Sequence, residues 1–449
     1  MNMGQGGATQ HRMWPYLPEL LERPVPRYTS FPTAAEFTGA VGAADMEQAL
    51  QAVSGNVSLY LHIPYCAQIC WYCGCNTGAA NKRDRLAVYL DSLHREIAAV
   101  GKRLGNRVRI KRVAFGGGSP NAISPTDFVR LIDALTVHTH LADPDWSVEV
   151  DPRTLTASWC QAMAFVGVTR ASMGVQTFAP ALQAAIGRVQ PDAMIVQGME
   201  LLRAAGVSSI NFDLMYGLPG QSWTDLEATL ARTVELGADR IALFGYAHVP
   251  HLIPRQKRIA ADNLPDQTER FAMAARGYDY LTARGYVPVG FDHFARPDDP
   301  MGRAAIGKRV RRNFQGFTDD ASPSLIGLGA SSISEFPDAL IQNEKNAGRS
   351  RMLLSQDLLP AACGVRRSAT DREIGAVISG LLCQGEARTG SVRLALLEPA
   401  LAPFVERGLA QVDGEVLRIL PHGLPYARTI AALFDPYRQD NARRFSSAV

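Results

Sequence analysis

The sequence predicts an α/β protein: a full or partial (β/α) barrel with an N-terminal arm and a mainly helical C-terminal domain that carries a small hairpin. Three observations predict it. From about residue 58 to 293, short runs rich in Val, Ile, Phe and Tyr alternate with longer amphipathic stretches, the pattern of a parallel sheet with right-handed crossovers. Six or seven such units in series fit a barrel better than a doubly wound sheet. The chain of 449 residues is 47% hydrophobic and 20% charged, enough apolar content for a large core.

Taken in order, residues 1–55 are Pro-rich, contain PRYTSFPTA, and read as an arm or lid. The strand candidates are SLYLHIP (58–64), RVAFGGG (112–118), WSVEVDP (146–152), TRASMGVQ (169–176), SINFDLMYG (209–217), RIALFGYAH (240–248) and YVPVGFDHF (286–294). Helix candidates between them are 83–104, 125–135, 191–205, 223–236 and 266–283. SPTDFVRL shows the start signal: Ser before the first turn and Pro just inside it. These units define a barrel over 56–300. After about 300 the rhythm changes, which sets off a C-terminal domain over 301–449. There, 372–408 read as helices, LAQVDGEVLRILPHG as a hairpin turning at Asp-Gly, and PYARTIAALFDPY as a closing helix.

Charge and targeting signals exclude several classes. The net charge is +3 and no Lys/Arg block forms a basic stripe, so nucleic acid is not expected as a partner, even for the C-terminal helices and hairpin. No uncharged apolar run approaches the ~18 residues of a membrane span. The N-terminus lacks the apolar region of a signal peptide, so a cytoplasmic, thiol-reducing location is expected. Of seven cysteines, Cys160, Cys363 and Cys383 are scattered and read as buried small hydrophobes. Cys66, Cys70, Cys73 and Cys75 crowd into ten residues.

That crowd is CAQICWYCGC, or C-x3-C-x2-C-x-C, placed after the first strand, where the chemistry of a barrel sits. Structural zinc would need a second ligand pair, which the sequence lacks. A thioredoxin-like CxxC needs a small βαβ frame. An iron–sulfur cluster held by three thiolates of one loop is the third reading. C-x3-C-x2-C with an aromatic before the last cysteine resembles the radical S-adenosylmethionine superfamily. The resemblance implies a [4Fe-4S] cluster on Cys66, Cys70 and Cys73, with its open iron chelated by the methionine end of S-adenosylmethionine. The reduced cluster of such proteins cleaves that cofactor to a 5′-deoxyadenosyl radical.

The likeness runs further. LYLHIPYCAQICWYCGC, FGGGSP, SVEVDPRTL, RASMGVQTF, FDLMYGLPGQ, GYAHVP, DHFARPDD and RNFQGF occur in this order. With PRYTSFPTA they resemble the oxygen-independent coproporphyrinogen III oxidase (dehydrogenase) family. The resemblance implies a radical-SAM-type barrel and oxidative decarboxylation of two propionates of coproporphyrinogen III to vinyl groups, giving protoporphyrinogen IX. It also implies two S-adenosylmethionine molecules, an electron donor such as flavodoxin or ferredoxin, and a monomer. A heme chaperone of the same branch, binding heme without decarboxylation, is the alternative; PRYTSFPTA, Cys75 and RNFQGF favour the oxidase.

By the same resemblance, Tyr60, Gly117, Glu149 and Ile333 face the first cofactor. Tyr72, Gly118, Ser119, Gln176, Arg188, Asp213 and Ala247 face the second. The residue types suit the work. Glycines at a strand end admit close approach, carboxylates accept from an amine or ribose, and Arg188 suits a carboxylate. Alone, Gly116–Gly118 also read as a tight turn, Glu149 and Asp213 as loop carboxylates or caps, and Arg188 as a solvated helix residue. Ser119 and Tyr72 stand where many relatives have Thr and Phe, and Gly245 where many have Asn. His62, on the same strand face as Tyr60, is either a hydrogen-bonding partner of a cofactor or a satisfied core histidine. Cys75 is outside the ligand pattern and reads as a structural or substrate-side thiol. Gln315 is placed to reach substrate or cofactor. Tyr60, His62, Cys75 and Gln315 are thus the catalytic candidates. Tyr28 is set either against a flat tetrapyrrole or in simple packing. His248, His251 and His293 fall near strand ends with no assigned role.

Overall fold

The computed structural model describes residues 14–80 and 83–438; the first thirteen residues of the expected arm lie outside it. Twelve strands form one sheet: β1 (Gly55–Ile63), β2 (Val108–Gly117), β3 (Leu141–Val150), β4 (Val168–Gln176), β5 (Ser209–Tyr216), β6 (Arg240–Gly245), β7 (Val287–Val289), β8 (His293–Ala295), β9 (Ser324–Leu328), β10 (Ile333–Phe336), β11 (Ala339–Asn343) and β12 (Ala361–Arg366). Their order is β12-β11-β10-β9-β1-β2-β3-β4-β5-β6-β8-β7. Strands β9 and β1 to β6 run parallel, and the two ends of the sheet are antiparallel additions. The end strands β12 and β7 do not pair, so the barrel is partial.

Central strands are buried on both faces, hence their near-continuous apolar runs. In β1 the alternation sends Val57, Leu59, Leu61 and Ile63 into the core under the helices and turns Tyr60 toward Ala114 and Leu325. The crossover helices start as their sequences dictate. The Ser124 side chain accepts from the Asp127 amide ahead of the helix Pro125–His138, and Ser222 and Asp225 form a capping box ahead of Trp223–Glu235.

Two expectations change. The run 286–294 is not a seventh parallel strand. Gly290 turns with φ +63°, and the run folds into the hairpin β7–β8, with β8 antiparallel to β6. The seventh parallel strand is β9, which pairs with β1 from beyond residue 300. It is a five-residue buried run with no long crossover helix before it, so no β–α rhythm marks it. The sheet therefore continues past the boundary drawn at 300 as far as Arg366, and the helical part follows from Ala369.

That part holds the helices Ala369–Gln384, Ser391–Glu406 and the short Ala427–Ala431, with a three-stranded sheet that adds Glu386–Arg388 to the expected hairpin. The hairpin turns at Gly414 and Glu415, one residue later than expected, with Asp413 paired to Val416 and Gly414 at φ +59°. The described part of the arm is built into the fold. Leu21, Val25, Tyr28 and Phe31 share a core with Ile374, Leu381 and Phe404, and the helix Ala43–Ala52 packs Met46 and Leu50 on the main core. Tyr28 is packing: it is buried and donates to Asp435 at 3.0 Å. Cys160 is buried as expected; Cys363 and Cys383 are half-buried, a correction that follows from their places on an edge strand and a helix end.

Candidate active site

At the C-terminal mouth of the barrel, the loop after β1 meets the ends of β2 to β5 around a cavity of about 200 Å³. Cys66, Cys70, Cys73, Cys75, Tyr72, Gly117, Gly118, Glu149, Gln176, Arg188 and Asp213 all line it, so eleven of the expected residues converge. The loop is docked rather than free. The Trp71 amide donates to the Ile186 carbonyl at 3.1 Å, and the Trp71 ring fills the space beside Gly187. Gln256 donates to the carbonyls of Tyr72 and Ala247 at 3.1 and 3.0 Å, clamping the loop to the end of β6.

The cysteines differ in environment. Burial pushes the Cys66 thiol up to about 12, whereas a hydrogen bond from Cys75 pulls Cys73 down to about 6. The Cys75 amide also donates to the Cys73 sulfur at 3.4 Å. Arg188 and Arg153 donate to the Cys70 sulfur at 3.2 and 3.4 Å, bringing positive charge to a place where thiolate would gather. Arg188 is buried, not solvated, and also donates to Gln190 at 3.0 Å and the Gly174 carbonyl at 2.7 Å, so most of its donors are already engaged.

The glycines form a cradle. Gly117 has φ +108°, and an added Cβ would lie 2.4 Å from the His62 ring; one on Gly116 would lie 2.6 Å from Glu149. No other residue fits there. Glu149 faces the cavity and accepts from the Gly117 amide at 3.1 Å, and desolvation by the surrounding strand ends pushes its carboxyl up to about 7. Asp213, held by Ser172 at 3.0 Å and Asn211 at 2.9 Å, is raised by burial as well. Gln176 has φ +62°, uncommon for a non-glycine residue, and its buried Oε1 has no partner among the described residues.

The remaining candidates sit one layer away. Tyr60 is buried and contacts His62 Nδ1 at 3.1 Å; burial lowers His62 to about 4, so the ring is neutral. Ser119 is buried and donates to Asn121 at 2.7 Å. Ile333 opens β10 without lining the cavity, and Ala247 lines a neighbouring space. Gln315 lines a lower cavity of about 150 Å³ inside the barrel, which shares Glu149 and Ser172 with the upper one. At Gly245, the Tyr216 hydroxyl stands 2.9 Å from where a Cβ would be, occupying the space of a larger side chain. Sequence reasoning missed Asp151, Arg153 and Gln256. The DPRT stretch directly after β3 was a signal for the first two; nothing local marks Gln256.

A cofactor fits these residues. The loop cysteines ring a void, and among the described residues no three His, Cys, Asp or Glu converge as for a single ion. A cubane with its thiolates on separate irons needs such spacing. The glycine cradle and the orphaned Gln176 Oε1 supply room and an acceptor for a polar ligand.

A partial barrel with this cysteine loop at its mouth is the frame of a radical SAM enzyme, and the profile of the Radical SAM superfamily matches residues 60–233. The chain belongs to the oxygen-independent coproporphyrinogen III oxidase family. It is 38% identical to the oxygen-independent coproporphyrinogen III oxidase of Bradyrhizobium diazoefficiens, over 95% of this chain and 98% of that one. It is 33% identical to that of Escherichia coli over 93% and 94%. The solved coproporphyrinogen III oxidase of Escherichia coli superposes with TM-score 0.89 at 31% identity, covering 95% of this chain and all of that one. The chain is thus an oxidoreductase, and these relatives do not support the heme-chaperone alternative. No described helix is long and apolar enough to cross a membrane.

Proposed function

We propose that this chain converts coproporphyrinogen III to protoporphyrinogen IX by oxidative decarboxylation of two propionates to vinyl groups, in oxygen-independent heme and porphyrin biosynthesis. The observation that carries it is the three-cysteine loop at the mouth of a barrel that aligns nearly end to end with coproporphyrinogen III oxidases. When bound, a [4Fe-4S] cluster and S-adenosylmethionine supply the one-electron chemistry that removes a hydrogen atom from the propionate β-carbon; carbon dioxide and one electron, passed to an acceptor, then leave the substrate.

The chain's own residues hold and shield. Cys66, Cys70 and Cys73 are the cluster ligands in this reading, with Arg153 and Arg188 offsetting their charge. Cys75 stays a thiol that hydrogen-bonds Cys73. Gly117, Glu149, Tyr60 and Ile333 serve one S-adenosylmethionine, and Tyr72, Gly118, Ser119, Gln176, Arg188, Asp213 and Ala247 a second. Neutral His62 backs the glycine cradle and Gln315 lines the lower cavity, each as a hydrogen-bonding group. A small reducing protein such as flavodoxin or ferredoxin supplies electrons to a monomer.

The test is anaerobic reconstitution with iron and sulfide, followed by addition of S-adenosylmethionine, a reductant, coproporphyrinogen III and an electron acceptor. Protoporphyrin after oxidation, lost in Cys66→Ala, is expected. An intact cluster that cleaves S-adenosylmethionine without yielding protoporphyrin would overturn the reading.

A further inference from the structure

Between β6 and the helix Gln267–Thr282 the chain passes beside the cysteine loop as a strap, and the strap carries charge that the site above does not use. From Arg240 to Ala261 there is no Asp or Glu. Within that stretch a single turn of 3-10 helix, Pro254–Arg258, presents Arg255, Lys257 and Arg258. The strap is fastened to the loop along its length. Gln256 donates to the Tyr72 carbonyl and Arg255 to the Thr77 hydroxyl, both at 3.1 Å. The Arg258 guanidinium lies 5.9 Å from the centre of the Trp71 ring, and Ile253 lies 3.0 Å from where a Cβ on Gly74 would be. A second segment adds a fourth cation: Asn76 donates to the Lys345 carbonyl at 3.2 Å.

The loop itself, residues 64–80, has no charged side chain, and its outer residues Ala67, Gln68, Gly74, Cys75 and Asn76 are exposed. Cys75 also lines the cavity, so only the thickness of the loop separates cavity from solvent. Lys257, Arg258 and Lys345 are exposed and Arg255 is half-buried. Among the described residues none of the four has a carboxylate within 4 Å. None lines the cysteine cavity, the lower cavity or the space beside Ala247, so the charge faces outward, away from where a tetrapyrrole would react. Solvated cations of one sign add nothing to the fold; their effect is to steer an oppositely charged partner and speed its encounter. Leu252, exposed on the same strap, supplies an apolar contact of the kind that small, transient redox interfaces place beside charge.

We infer that Arg255, Lys257, Arg258 and Lys345 form the docking surface for an acidic one-electron carrier protein, which seats its redox centre against the cysteine loop. The inference rests on the proposed radical chemistry, which needs a reduced cluster, and adds where the electron enters. In this step the carrier loses one electron and the oxidised cluster gains it; no bond or proton is exchanged.

The test uses the full-length, anaerobically reconstituted enzyme, a Lys257→Glu and Arg258→Glu double variant, and Lys345→Glu, with photoreduced flavodoxin, an acidic protein, as the probe. Cluster absorbance and reduction by dithionite, which needs no docking, check that each variant is intact. Two readouts are taken: the second-order rate constant of cluster reduction by stopped flow, and the Kd of oxidised flavodoxin by calorimetry. At low ionic strength the double variant is expected to lose on the order of 10-fold in rate and affinity and Lys345→Glu about 3-fold, with dithionite reduction unchanged. Both losses should shrink at high salt, where exposed charges are screened. Wild-type rate and Kd in both variants would overturn the inference, as would a wild-type enzyme that dithionite reduces and flavodoxin does not. Normal reduction by flavodoxin with a raised KM for coproporphyrinogen III would also overturn it, assigning the cations to the substrate's carboxylates. An enzyme reduced through this surface that yields no protoporphyrin would overturn the decarboxylase reading and keep the docking surface.

Discussion

Individual side chains in the mouth of the barrel do separable jobs. Cys73 is drawn toward thiolate by its neighbour, whereas Cys75 is the donor in that pair. Cys73→Ala is therefore expected to abolish cluster assembly, read as loss of iron and of the iron–sulfur absorption. Cys75→Ala is expected to keep both. Gln176 offers a buried acceptor that no described residue meets. A hydrogen bond made to it by a ligand is worth about 0.5–1.5 kcal/mol, so Gln176→Ala should weaken S-adenosylmethionine binding by roughly two- to tenfold, measured by equilibrium dialysis. Cluster content should not change, because Gln176 is not one of the three loop cysteines that hold the cluster in this reading.

Between elements, the closed end of the barrel is fastened by charge rather than by apolar packing. Asp319 accepts from Arg112 at 2.7 Å and from Arg170 at 2.8 Å, and Arg112 and Arg170 both reach Asp145. This joins β2, β3 and β4 to the loop before β9. Burial alone would raise the Asp319 carboxyl, but Arg170 and Arg112 override it and hold it well below its ordinary 3.8. A depressed folded-state value means the stabilisation is fully present above about pH 4, where the unfolded carboxylate is ionised, and is lost as pH falls below that. Asp319→Asn should cost about 3–5 kcal/mol at pH 7, since it leaves the buried Arg170 and the half-buried Arg112 short of a partner. Urea unfolding at pH 7 and pH 3 checks this: the difference between wild type and variant should shrink at the lower pH.

Over the whole molecule, two cores are joined by the arm. Leu21 is 1% exposed and lies in the same core as the helix Ala369–Gln384, although more than 340 residues separate them. Leu21→Ala is expected to cost about 2–5 kcal/mol. Hydrogen exchange should show that loss in the C-terminal helices first, with the central strands β1 to β5 protected as before. If the C-terminal helices kept their protection, the arm would be a surface strap rather than part of that core.

The sequence by itself determined the periodic part of the protein and its chemistry. The β–α rhythm from 58 to 248, the Ser124 and Ser222 caps and the cysteine spacing are local, so no tertiary information was needed to see them. Tertiary structure decided what depends on contacts between distant segments. It made 286–294 a hairpin, because Gly290 turns and β8 pairs back on β6. It recruited β9, short and unannounced by a preceding helix, as the partner of β1. It turned Tyr28 into the C-terminal core, engaged most of Arg188 with protein acceptors, and set Arg153 and Gln256 against the cysteine loop. Partners as far apart as Tyr28 and Asp435, 407 positions along the chain, leave no trace in local propensity; only the folded sheet, by fixing which strand ends meet, decides them.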